Sequence, residues 1–209
     1  MIPCLAADQP SIRGEGGLDL HFDEAQRKTF ARVTCTTQRG SGATGGPAVQ
    51  SDIAAAFERI DGYQRDYGHT FWVVERKADG ALLGFCGLKR VNNAGAPNSG
   101  DFEIGWRLRE DAWGQGYAQE AAIASLDLAF GRFAAPHVVA LTVTANRPSQ
   151  ALMERLGMTR REDLDFDCSD PWVADFNPVI AWRIEAAEWP EARERALRPL
   201  SRRAAPADR

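Results

Sequence analysis

Apolar and polar positions alternate from Asp101 to Leu108: Phe102, Ile104, Trp106 and Leu108 fall on one side, Asp101, Glu103, Gly105 and Arg107 on the other. A period of two predicts a strand with two distinct faces. Further on, Ile123, Leu126, Phe130 and Phe133 recur at helical spacing, which predicts a helix starting near Gly116 with one apolar stripe. Upstream, Ser51 is a candidate cap for a helix with Ile53, Phe57 and Ile60 as its buried stripe, a periodicity that Tyr63 and Tyr67 extend. Phe71 to Glu75 and Leu82 to Val91 read as strands joined through the hairpin signal Ala78-Asp79-Gly80, and Asn92 to Gly100 as an exposed loop. Val138 to Val143 is a continuous, β-branched run, as expected of a strand covered on both faces. Asn146 to Gly157 predicts a short helix with Asn146 as N-cap, Pro148 in the first turn and Gly157 as its stop. A strand from Met158 to about Phe166, a polar turn over Cys168 to Asn177 and a closing strand from Pro178 to Ile184 complete the series.

Both ends read differently. Gly17 to Phe22 alternates like a short strand, Phe30 to Thr36 suggests another, and Gly40 to Pro47 has the composition of a connector. Beyond Trp189-Pro190 the chain is rich in Arg, Glu and Ala, which predicts an exposed helix with salt-bridge pairs, fraying from Ser201. The expected organisation is therefore a divergent segment with a glycine-rich linker at 1–50, a folded domain at 51–189 and a tail at 190–209. The elements are mixed α and β, with mainly antiparallel strands.

Composition narrows the function classes. The 209 residues fit one domain with a sizeable core. A formal net charge of −4 argues against a general nucleic-acid binder. Cys4, Cys35, Cys86 and Cys168 form no C-x-x-C pair and read as reduced thiols of a cytoplasmic protein. His21, His69 and His137 have no metal-ligand spacing, so no metal is expected. Met1 to Ala7 lacks the features of a signal peptide, and no apolar run is long enough to span a bilayer.

The densest chemical signal is Trp113-Gly114-Gln115-Gly116-Tyr117-Ala118, a glycine-rich loop at the predicted helix start. The first turn of a helix has N–H groups without carbonyl partners, and the positive dipole end coincides with them, so such a loop can hold a phosphate. Paired glycines also simply make tight turns, and spacing alone does not separate the two. A Rossmann fingerprint would need glycine at Gln119, and a P-loop would need Gly-Lys-Ser/Thr, which does not occur.

The run Glu103-Ile104-Gly105-Trp106 followed by Trp113 to Ala118 resembles the acetyl-CoA signature of the GNAT superfamily of N-acetyltransferases, most closely its RimJ/RimL-like branch. Gly116 and Ala118 match the superfamily's Gln/Arg-x-x-Gly-x-Gly/Ala motif. Trp113 stands where Gln or Arg is usual, a departure common in that branch. Asn146-Arg147-Pro148-Ser149, with Leu152 and Leu156-Gly157-Met158, resembles a second block of the family, and Asn177 to Ile184 looks like its last strand. The resemblance covers about Ser51 to Trp189.

It implies an α/β (α+β) GNAT fold: a mixed, mostly antiparallel sheet splayed around the acetyl-CoA site, with helices on both faces. It implies acetyl transfer from acetyl-CoA to a primary amine, either a protein N-terminus or a small molecule, by direct attack in a ternary complex. By the same resemblance, the N–H groups of Gly114, Gln115, Gly116, Tyr117 and Ala118 would carry the pyrophosphate. Backbone groups of Trp106, Arg107 and Leu108 would pair with the pantetheine arm, one N–H facing the oxyanion. The Asn146 side chain would hold the arm from the other side, Glu103 would act as base and Ser149 as acid. Each side chain also has a local reading: a salt bridge from Glu103 to Arg107 or Lys89, a helix cap for Asn146, and local hydrogen bonding for Ser149. A function of another class, a non-catalytic acyl-CoA-binding sensor or scaffold, fits the divergent first fifty residues. Neither a nucleic acid nor a membrane is an expected partner. Homodimers are common in the superfamily, though no feature here specifies one.

Overall fold

The computed structural model describes residues 12–13, 17–21, 50–169 and 176–204. The strands are β1 (Ile12–Arg13), β2 (Leu18–His21), β3 (Phe71–Arg76), β4 (Ala81–Arg90), β5 (Phe102–Leu108), β6 (His137–Val143), β7 (Thr159–Phe166) and β8 (Val179–Glu185). The helices are α1 (Gln50–Tyr67), α2 (Tyr117–Gly131), α3 (Arg147–Arg155) and α4 (Trp189–Ala204). The strands form one sheet in the order β1-β2-β3-β4-β5-β6-β8-β7. The last strand therefore inserts between β6 and β7, and β7 takes the edge. Every pairing is antiparallel except β5 with β6. Parallel neighbours need a crossover, and α2 supplies it.

That parallel ladder is short. It pairs Phe102 with Val138 and Glu103 with Val139, and then stops. From there β5 follows β4 as far as Leu108, while β6 follows β8 as far as Val143. Each strand keeps its antiparallel partner, so the two part and the sheet opens between them.

The alternation read from Asp101 to Leu108 becomes two faces of β5. Trp106 lies opposite Cys86, whose Sγ is 3.6 Å from Ser125 Oγ of α2, so the even-numbered residues face this helix. Ile123 and Leu126 are buried there as the helical spacing predicts, Phe130 is half-buried, and Phe133 lies beyond the helix end against His69 and Phe102. Burial of α2 is wider than one stripe, running from Ala121 to Leu126, because α4 packs on it as well. The predicted exposed tail is thus an anchored helix: Trp189, Ala192 and Ala196 are buried. Gln119 Nε2 donates to Ala196 O at 2.6 Å. Trp189 Nε1 and Arg193 Nε both donate to Asp127 Oδ1, each at 2.8 Å. Asp127→Ala is expected to destabilise the fold by about 1–3 kcal/mol, since it strips the acceptor from two donors at this contact; a thermal melt checks it.

One further expectation changes in detail. The first helix starts at Gln50, so Ser51 lies within it rather than capping it. Tyr63, Tyr67 and His69 form a chain of ring contacts that reaches Phe102, fixing the end of α1 against the start of β5. His69 is buried there. Its Nδ1 donates to Leu88 O at 3.1 Å, and desolvation lowers its pKa, so the ring stays neutral. The short strand near Leu18 is present as β2, and Leu18 N donates to Glu120 Oε1 of α2 at 3.0 Å. The expected strand at Phe30 to Thr36 and the connector at Gly40 to Pro47 lie outside the described residues.

Candidate functional site

The opening between β5 and β6 is lined by backbone, and the hydrogen-bond register says which residues supply it. Val91 N donates to Asp101 O, and Arg109 N donates to Leu83 O, at the two ends of the β4–β5 ladder. In an antiparallel pair bonded residues alternate, so Glu103, Gly105 and Arg107 spend their amides on β4. The peptide groups of Ile104, Trp106 and Leu108 therefore turn toward β6. The same count on the other side, set by Ala186 N donating to Pro136 O, turns those of Leu141 and Val143 toward β5. Trp113 Nε1 takes the Leu108 carbonyl at 2.9 Å, and Asn146 N takes that of Val143 at 3.0 Å. Trp106 and Leu141 keep open donors and acceptors facing the slot. Arg107, grouped with Trp106 and Leu108 by the sequence reading, does not offer its backbone, because the ladder uses it.

The slot leads to the glycine-rich loop. Gly114 has φ 70° and Gly116 has φ 84°, both in the left-handed region that favours glycine. Gly116 is the N-cap of α2, so the amides of Tyr117 and Ala118 start the helix with no intrahelical acceptor. Among the described residues, those amides and the ones of Gln115 and Gly116 donate to no protein group. Gln115 Nε2 bonds Asp111 O at 2.8 Å, bracing the turn by its side chain. Arg76 stands beside this helix start, its Nη1 at 3.4 Å from the Tyr117 hydroxyl while it also grips Asp79.

On the far side of the slot, Asn146 caps α3 by accepting from Ser149 N at 3.3 Å. That bond uses Oδ1 and leaves the amide Nδ2 available. Asn146→Ala is expected to cost about 0.5–2 kcal/mol as a lost cap, measured by denaturant titration, and more acetyl-CoA affinity than that if Nδ2 also holds the arm. The Ser149 hydroxyl has no partner among the described residues.

The face of β5 turned away from α2 carries Glu103, Gly105 and Arg107, opposite Lys89, Gly87 and Phe85 of β4. Glu103 is only 8 % exposed, and Lys89 Nζ stands 2.6 Å from its Oε2, off the line of a well-formed hydrogen bond. Of the two salt-bridge readings, the partner is Lys89 and not Arg107. Burial pushes the Glu103 carboxyl above the ordinary carboxylate range, and the nearby ammonium opposes that rise. The Phe71 ring covers Gly105, where a Cβ would lie 2.9 Å from Cε1, and meets the Phe85 ring at 5.5 Å. The sequence reading offered Lys89 only as one of two partners for Glu103, and it had not pointed to Leu141 or this aromatic floor. Only strand register brings them to the site.

Residues 21–159 match the family described as "Acetyltransferase (GNAT) domain". The chain belongs to the GNAT acetyltransferases. The match begins upstream of Ser51, where the family blocks first become legible in the sequence. The Bacillus subtilis (strain 168) protein YkkB is 35% identical over 97 residues, 46% of this chain and 54% of that protein. The "FsC-acetyl coenzyme A-N(2)-transacetylase" of Aspergillus fumigatus is 30% identical over 117 residues, 54% of this chain and 49% of that protein. The GNAT chain thus spans about half the length of these curated relatives. The crystal structure of an acetyltransferase from Agrobacterium tumefaciens superposes with a TM-score of 0.67 at 27% identity, covering 84% of this chain and 94% of that one. The crystal structure of a ribosomal-protein-S5-alanine acetyltransferase from Vibrio fischeri shares the fold at 11% identity with a TM-score of 0.69, covering 86% of this chain and 98% of that one. Among the described residues no helix is long and apolar enough to cross a membrane, and no cluster of three or more His, Cys, Asp or Glu could hold a metal.

Proposed function

We propose that this GNAT chain is an acyltransferase that moves the acetyl group of acetyl-CoA to a primary amine by direct attack in a ternary complex. The observation that carries the reading is the slot between β5 and β6, open at Trp106 and Leu141 and continuous with the amides of the α2 start. Gly114, Gln115, Gly116, Tyr117 and Ala118 form the pyrophosphate cradle. The pantetheine arm lies in the slot against Trp106 and Leu108, steadied by Asn146. Holding two reactants in this way supplies much of the rate, up to roughly 7–11 kcal/mol in favourable cases. A slot N–H such as that of Trp106 faces the carbonyl oxygen as it gains charge. The amine nitrogen bonds the thioester carbon, its proton passes to Glu103 directly or through water, and the C–S bond breaks as Ser149 protonates the thiolate. A base whose carboxyl burial raises above the ordinary carboxylate range suits that step.

The motif at Trp113 to Ala118 supports placement in the RimJ/RimL-like branch, and with it a protein N-terminus as acceptor. A small-molecule amine is the alternative acceptor, and the Aspergillus relative, named for N(2) transfer from acetyl coenzyme A, supports nitrogen as the atom acetylated. The thiols of Cys86 and Cys168 are both free and buried, which accords with a cytoplasmic protein. The close Lys89 contact favours a second reading, in which Glu103 is a structural ion and the protein binds acyl-CoA without catalysis. Calorimetry with acetyl-CoA followed by single-turnover assays on an amine panel separates the two. Saturable binding with acetyl transfer is expected. Binding without transfer selects the sensor, and no heat at millimolar acetyl-CoA overturns both.

A further inference from the structure

Among the described residues, part-buried arginines are paired as a rule. Arg76 holds Asp79, Arg109 holds Asp111, Arg160 holds Asp165 and Arg193 holds Asp127. Arg90 donates to Gly100 O and lies over the Phe102 ring at 3.5 Å. Arg107 is the exception. Its guanidinium is half-buried, yet among the described residues it meets no carboxylate, no carbonyl and no ring. Burial alone acts on it, drawing its pKa below the usual arginine value. A planar cation partly withdrawn from water with no counter-ion keeps unused N–H donors that an arriving anion can take up.

Its position says what can arrive. Arg107 shares its face with Glu103 and Gly105, about 7 Å further along the strand than Gly105 and about 14 Å beyond Glu103. Phe85 lies directly across β4, and the Phe71 ring covers Gly105 beside it. The opposite face of β5 is filled by α2, the helix that follows the loop that would hold the coenzyme. A second substrate that approaches the slot must therefore cross the face bearing Phe71, Phe85 and Arg107. That floor is apolar in the middle, with the Lys89–Glu103 pair at one end and, at the other, a guanidinium with no partner among the described residues.

We propose that Arg107 selects the acceptor: the substrate is an amine that carries an anionic group, a carboxylate or a phosphate, several bonds from its nitrogen. The guanidinium fork fits either group through paired N–H donors. This inference rests on the acetyl-transfer reading above and assigns its substrate class. The amine end points toward the Glu103 side of the slot and the anion toward Arg107, with the chain between them over the two phenyl rings.

The test compares matched amines on the full chain: ω-amino acids of increasing length, their carboxamides, the corresponding plain alkylamines and aminoalkyl phosphates. Wild type is expected to turn over one anionic series with kcat/KM at least about tenfold above the matched neutral amines, equivalent to ~1.4 kcal/mol of discrimination. The phosphate and carboxylate arms tell which anion is meant. Arg107→Gln should erase that preference through KM while calorimetric affinity for acetyl-CoA stays unchanged, and Arg107→Lys should restore part of it. Equal turnover of neutral and anionic amines, or a preference that survives Arg107→Gln, overturns the inference and leaves acetyl transfer standing. Loss of acetyl-CoA affinity in Arg107→Gln with acceptor preference intact also overturns it, assigning the cation to the coenzyme. Binding of acetyl-CoA with no turnover of any anionic amine overturns it without touching the cradle. Failure of wild type to bind acetyl-CoA removes the underlying reading and this inference together.

Discussion

Gly116→Val is expected to reduce acetyl-CoA affinity by on the order of a hundredfold, about 2.8 kcal/mol at 1.4 kcal/mol per decade. Two effects combine. The residue has φ 84°, where a side chain costs roughly 1–2 kcal/mol and a β-branched one is a genuine outlier. The backbone responds by leaving that conformation, and the amides of Gly116, Tyr117 and Ala118 no longer converge on one point. A valine side chain at the α2 start would also stand where an anion must approach closely. Gly114→Ala is the milder companion: its Cβ would meet nothing within 4 Å, so only the cost of φ 70° applies. Calorimetric titration reads both, with a thermal melt showing that each variant is folded. Wild-type affinity in a folded Gly116→Val protein would contradict the cradle.

Glu103→Gln is expected to lower kcat by about 10²–10⁴, the usual span for a lost general base, with acetyl-CoA affinity nearly intact. The substitution keeps the shape and removes the charge facing Lys89. The pH dependence makes the test specific. Glu103 titrates above its ordinary value of 4.5 because burial disfavours the anion. The base form is populated only above that raised pKa, so kcat should fall as the pH drops through it, and Glu103→Gln should abolish this acidic limb. The amine's own limb would persist in the variant. Stability follows the opposite sense: with the folded-state pKa raised, this group's contribution is present below the unfolded value and lost as pH rises through the folded one. Lys89→Met removes the opposing ammonium and should move the acidic limb to higher pH. An unchanged rate in Glu103→Gln would take the residue out of the mechanism and favour the sensor reading.

Legibility followed the range of the interactions. The left-handed glycines, the Asn146 cap and the two faces of β5 are decided within a few residues, and each is where the periodicity and turn chemistry indicate. α4 was misread as exposed because Ala192 and Ala196 form a narrow small-residue stripe among Arg and Glu, and such a stripe has little hydrophobic signal until Trp189 and Gln119 are seen to anchor it. Ser51 was misread as a cap because a capping side chain is equally at home in the first turn. For the site itself, the loop, Glu103 and its two candidate partners stand out in the sequence, whereas Leu141 does not. Strand register decides that Lys89, and not Arg107, is set opposite Glu103.

By itself, then, the sequence determined the local chemistry: where a glycine-rich turn precedes α2, which side chains share a face of β5, and which family's signature they spell. The tertiary structure decided strand order and register, and through them the function's geometry. β5 and β6 separate after Glu103 because each is held along its length by a different antiparallel partner, a non-local competition that no window of sequence contains. The same register turns the Trp106 and Leu141 peptide groups into the opening and leaves the Arg107 guanidinium on the opposite face of the sheet from α2, uncompensated among the described residues.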